Sequence, residues 1–195
     1  MTINEYSDFY HNFFKPAYAD LVAIIADKPQ QIIFEIENSF AHLMVYHSSD
    51  THISEEIKNN NLIKAHNHLV RATIDCYKIL WTELSDFLDK IMKNESSRAF
   101  SFNDSEFKVM KVWKNFKEKA TIARKEEMKS IGVDYKKTIK LYKEAVDEGR
   151  VLLDKFDFDK SKRVKRFNFL NLLKNQALGF ILGIVSGIIA TWIMA

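Results

Sequence analysis

The sequence predicts an all-α fold: a cytoplasmic helical bundle with long helices, followed by one C-terminal transmembrane helix. Three observations carry this. Only two prolines occur, Pro16 and Pro29, so nothing after residue 30 interrupts a helix in that way. Glycine is scarce, at five residues, and apolar side chains recur at helical spacing rather than alternating. The last 19 residues, Ala177 to Ala195, contain no charged side chain.

Four to six helices are expected in the body. Residues 3–14 and 17–27 read as short helices punctuated by the prolines. Residues 30–47 form another, with Ile33, Phe34, Ile36, Phe40 and Leu43 toward a core. His47 to His52 is a loop, and Ser54, followed by Glu55 and Glu56, caps the next helix. That helix runs over 55–93. Leu62, Ala65, Leu69, Ala72, Cys76 and Ile79 mark one stripe, and Ile74, Tyr77, Trp81, Leu84 and Leu88 widen it to burial on two sides.

Asn94 to Asp104 reads as a polar loop, with Asn103 or Asp104 as the cap of the next helix. Residues 105–155 form one long helix or two broken near Gly132. Phe107, Met110, Trp113, Phe116 and Ala120 lead into a charged middle, and Ile139, Tyr142, Val146, Leu152 and Leu153 resume the apolar pattern. The charged middle fits a coiled-coil surface or a solvated strut; no sustained heptad pattern supports a two-stranded coiled coil.

Charge divides the chain into a body (1–159), a basic juxtamembrane segment (160–176) and the span (177–195). Residues 160–195 hold six of the 29 Lys and Arg and no Asp or Glu, leaving 23 basic against 26 acidic groups in residues 1–159. The body is mildly acidic, so nucleic acid is not an expected partner. Lys160, Lys162, Arg163, Lys165, Arg166 and Lys174, mixed with Phe167, Phe169, Leu170, Leu172 and Leu173, suit an interfacial helix on anionic lipid headgroups.

As a helix, the charge-free tail would extend roughly 28 Å, against about 30 Å of hydrocarbon. Its Leu, Ile, Val and Phe side chains favour insertion by roughly 3 to 5 kcal/mol. The preceding cations orient the body to the cytoplasmic side of a bacterial inner membrane, as a single-pass protein. Gly179, Gly183, Gly187 and Thr191 share a face, a ridge of small residues suited to close helix packing and hence to a homo-oligomer. The opening residues lack the basic and apolar regions of a signal peptide. The single cysteine, Cys76, fits a reducing compartment.

Six histidines are present, but His66 and His68 at i and i+2 face different ways on a helix, and no Cys cluster or HExxH accompanies them. No metal or cofactor is implied. His68, Arg71 and Asp75 share one helix face, and Arg71 and Asp75 have the spacing of an ion pair. They are read as a partner or ligand site or as an ordinary helix-flank salt bridge.

The helix carrying His68-Leu-Val-Arg-Ala-Thr-Ile-Asp75 resembles those of small helical bacterial domains of the HEPN type. Members that cut RNA carry an Arg followed a few residues later by His. Here every His lies at or before residue 68 and every Arg at or after residue 71, so that motif is absent. No Gly-rich phosphate loop and no GxSxG occur, and the reading is not enzymatic. The whole-chain architecture resembles small membrane effectors of bacterial antiphage systems, such as retron-associated membrane proteins and the pore-forming accessory protein of type VI-B CRISPR loci. The resemblance implies a self-associating effector that perturbs the inner membrane. The alternative is a passive anchor that recruits a cytoplasmic protein partner.

Overall fold

Thr2 begins the first helix by reciprocal capping: its hydroxyl accepts from the Glu5 amide at 3.2 Å, and the Glu5 carboxylate accepts from the Thr2 amide at 2.7 Å. The computed structural model describes residues 1–130, 134–172 and 174–176. Helix α1 (Ile3–Phe9) passes through a single π-helical stretch (Tyr10–Phe14) into α2 (Lys15–Ile25). The sequence led us to expect two helices separated at Pro16; instead the path is continuous. In the widened turn the Lys15 amide donates to the carbonyl of Tyr10, five residues back. Such a bulge makes room for a proline ring that would otherwise crowd the preceding turn. Helix α2 ends at Ala26, whose φ of 55° places a non-glycine residue in the left-handed region.

Helix α3 (Gln30–Tyr46) returns, and after the loop α4 (Glu55–Met92) starts at Ser54, whose hydroxyl accepts from the Ile57 amide. A short helix, α5 (Glu95–Phe100), occupies the expected polar loop; Asn94 caps it by accepting from the Ser97 amide at 2.8 Å. Helices α6 (Glu106–Ser130) and α7 (Tyr135–Lys155) come next; Gly132 lies outside the described residues. Residues 158–172 form a further helix, termed the tail helix.

Helix α4 is the axis. Helices α2, α3 and α7 all pack on it, and α6 reaches it through side chains such as Lys117 to Asp89, which is why its buried residues wrap around more than one stripe. Leu62, Leu69, Leu80 and Leu88 are fully buried, as are Val109 and Phe116 of α6 and Val146 and Leu152 of α7. Gly149 of α7 permits the closest approach: a Cβ there would lie 2.8 Å from Phe116 Cε2 and 3.1 Å from Leu84 Cδ1.

On α3 the expected face is met in part: Ile36 packs against the core, and Ile33 and Leu43 are half-buried. Ile32 and Ser39 are buried, whereas Phe34 and Phe40 are 51% and 59% exposed. Small Ser39 allows α3 to approach α4, and its hydroxyl donates to the Ala65 carbonyl at 2.8 Å and meets the Tyr6 hydroxyl at 2.8 Å. On α6, Phe107 and Met110 are likewise exposed, while Phe116 and Ala120 are buried. The charged middle of α6 is neither a coiled-coil surface nor a free strut. It is stitched to its neighbours by Lys117–Asp89, Lys119–Glu148, Glu127–Lys78 and Glu126–Lys137.

Among the described residues there is no strand beyond one isolated antiparallel bridge, Phe102 with Phe156. That bridge closes the end of the bundle, with Asn103 donating to Lys155 and Asp157 donating to Ser101, each at 2.7 Å. No described helix is long and apolar enough to cross a membrane. The expected span, with Gly179, Gly183, Gly187 and Thr191, lies outside the described residues.

Candidate functional site

Three regions bear on function. The first is the tail helix. Asp157 starts it, one carboxylate oxygen accepting from the amides of Asp159 and Lys160 at 3.0 and 2.9 Å. These bonds, led by the one from Lys160, hold the Asp157 carboxyl below its ordinary value. Lys160 is tied back to the body through the side-chain oxygen of Asn103, and Ser161 is buried. Lys162 reaches only Asp159, at 4.0 Å on an exposed surface. Beyond this point the helix leaves the core. Arg163, Lys165, Arg166 and Lys174 have no ion-pair partner among the described residues, and Phe167 and Phe169 are 63% and 59% exposed. Leu170 and Leu172 are exposed beside them.

The second region is the polar contact between the antiparallel helices α3 and α4, where the three candidate residues lie. His68 Nδ1 sits 2.7 Å from Glu35 Oε2, and Arg71 Nε lies 3.8 Å from the same oxygen. His42 stacks on His68 with ring centroids 5.3 Å apart and contacts Asn61. Arg71 and Asp75 do not pair with each other as their spacing suggested. Arg71 turns to Glu35, while Asp75 accepts from Gln31 and Lys78. The carboxylate offered by α3 captures Arg71. The arrangement therefore ties two helices together with every named group engaged. Among the described residues, no group of three or more His, Cys, Asp and Glu is arranged to hold a metal ion.

The third region was not anticipated from the sequence. A cleft of about 670 Å³ lies between α4, α6 and α7, lined by Lys78, Trp81, Thr82, Lys117, Ala120, Thr121, Arg124, Lys125 and Tyr142. Lys117 Nζ lies 5.4 Å from the Trp81 ring centre and is held by Asp89 at 2.7 Å. Glu127 lies at the cleft edge, accepting from Lys78, from Arg124 at 3.0 Å and from the Tyr142 hydroxyl at 2.6 Å. Burial pushes the Glu127 carboxyl up, but the donors led by Lys78 outweigh it and leave the carboxyl below its ordinary value. Burial and the bond to Glu127 push the Tyr142 hydroxyl far up, so it remains a donor. The cleft residues come from positions 78 to 142, too scattered for a motif. The legible signal was local: Lys117, Arg124 and Lys125 flank Ala120 and Thr121 on one helix.

Comparison of the chain with protein-family models, with curated protein sequences and with solved structures gives no match.

Proposed function

We propose that this chain is a tail-anchored membrane effector of the bacterial inner membrane, with its helical bundle on the cytoplasmic side. In this reading the tail helix rests on anionic lipid and residues 177–195 cross the bilayer. Spans then associate through Gly179, Gly183, Gly187 and Thr191 until the membrane loses its barrier. The observation that carries the reading is the tail helix itself: Phe167, Phe169, Leu170 and Leu172 are exposed, next to Lys165, Arg166 and Lys174, which have no ion-pair partner among the described residues. Water is a poor environment for such side chains, whereas a headgroup–acyl boundary suits both the rings and the charges.

The test is expression of the full chain in bacteria with a potential-sensitive dye. The native chain should collapse the membrane potential, and Gly183→Ile should restore it at equal protein levels, because a branched side chain on the ridge separates the helices. Replacing Arg163, Lys165 and Arg166 with Gln should weaken sedimentation of the detergent-purified chain with anionic vesicles.

A second reading, a passive anchor that recruits a cytoplasmic protein, draws support from α3. Phe34, Phe40 and Met44 are exposed there without a covering element. Full expression with an unchanged membrane potential would favour the anchor and reject the effector.

A further inference from the structure

We infer that the cleft between α4, α6 and α7 binds a small aromatic anion: a flat ring system lying on Trp81, Ala120 and Tyr142, with a phosphate or carboxylate held by Arg124 and Lys125. This inference is independent of the membrane reading.

The volume, about 670 Å³, falls within the range of small-molecule sites. Two aromatic side chains and an alanine form an apolar floor, and ring faces favour a flat, polarisable partner. Thr82 and Thr121 add no free donor, because each hydroxyl already donates one turn back, to the carbonyls of Lys78 at 2.9 Å and Lys117 at 3.0 Å. No amide or carboxylate lines the cleft. Stacking and charge are the main means of recognition, beside the Trp81 indole N–H, which is buried without a hydrogen-bond partner among the described residues.

Charge sets the sign. The lining holds four cations and no carboxylate. Lys78 and Lys117 are committed to Asp75, Glu127 and Asp89. Arg124 gives one nitrogen to Glu127, lies beside the Tyr142 hydroxyl and stays largely exposed. Lys125 has no ion-pair partner among the described residues. Lys111 and Lys114 continue the exposed side of α6 without ion-pair partners, and Glu118 is the acid among them. The mouth of the cleft thus carries a surplus of positive charge that would draw in an anion.

The test uses the full chain purified in a mild detergent, titrated calorimetrically with 1-naphthyl phosphate, 1-naphthol and inorganic phosphate, against the same detergent buffer without protein. Naphthyl phosphate should bind at one site per chain, about tenfold or more tighter than either fragment, because both floor and rim contribute. The double substitution Arg124→Gln and Lys125→Gln should weaken it by about tenfold or more. Ala120→Phe should abolish binding by filling the floor. Equal affinity for naphthol and naphthyl phosphate, or undiminished binding by the double variant, would overturn the inference. Should Ala120→Phe fail to fold, the double variant, altered only at the rim, decides alone.

Discussion

The α4–α6–α7 core and the tail helix are built from the same residue types and treat them oppositely. In the core, Phe116 is fully buried and Lys117 is held among Asp89, Ser85 and aromatic rings. In the tail, Phe167 and Phe169 are exposed, and Lys165 and Arg166 find no acid among the described residues. The difference lies in the neighbours that the topology supplies. α6 is flanked on two sides by helices carrying carboxylates and apolar side chains, whereas the tail helix is held only at its first turn. An apolar and cationic segment that the described residues leave exposed is what the proposed membrane contact requires.

The strongest way to sharpen the contrast is Phe116→Ala. It removes a ring seated between Trp81 and Gly149 and should lower stability by about 3 to 5 kcal/mol in urea unfolding. Gly149→Ala is next. The new methyl must displace the Phe116 ring, an overpacking penalty of about 1 to 3 kcal/mol, offset by about 1 kcal/mol of gained helix propensity. A net loss read from thermal unfolding is expected, and a net gain would mean that the α6–α7 contact at Phe116 is looser than described.

Glu127→Gln should cost about 1 kcal/mol, because Lys78 and Tyr142 lose a charged acceptor at a partly exposed site. Its carboxyl lies below the usual 4.5 when folded, so its contribution is present above pH 4.5 and lost as pH falls through the folded value. The acid limb of the variant should be shallower.

His66 gives a gentler slope. Burial between Phe9 and Tyr135 lowers its affinity for a proton below the usual 6.5, although Glu5 opposes this. The unfolded chain therefore takes the proton first, and stability should decline as pH falls below 6.5, a decline that His66→Gln should flatten in a pH series of melts. The smallest expected stability effect is that of Phe169→Ser, within about 0.5 kcal/mol, because the ring is already in solvent. The same variant should nevertheless bind anionic vesicles less well. A large destabilisation would show that the tail helix packs on the body and would dissolve the comparison.

The legibility of these regions follows the same division. Helix α4 was readable because burial on more than one face amplifies its apolar period. The face of α3 was read in part: Ile36 packs on the core as expected. Phe34 and Phe40 were misread because they outweigh Ile32 and Ser39 in hydrophobicity, yet a serine with two partners allows closer helix contact than a ring. Helix α5 was hidden because Asn, Glu and Ser also write loops, and the cap at Asn94 becomes visible only with its amide partner. The π turn before Pro16 depends on a backbone register that no side-chain pattern encodes. Of the candidate site residues, the sequence grouped His68 and Arg71 on one face but could not supply Glu35, which arrives from another helix. The cleft was invisible for the same reason.

Cys76 is fully buried in the centre of α4, and burial, with a smaller contribution from Asp75, pushes its thiol up to about 12. At neutral pH it is neither ionised nor reachable, so the native chain behaves toward maleimides and other alkylating reagents as though it had no cysteine. A thiol introduced on the outer side of α3, at the cleft rim or along the tail helix would then react alone. Distances between copies, or depth below a lipid surface, could be read from one chosen position without altering the natural sequence anywhere else.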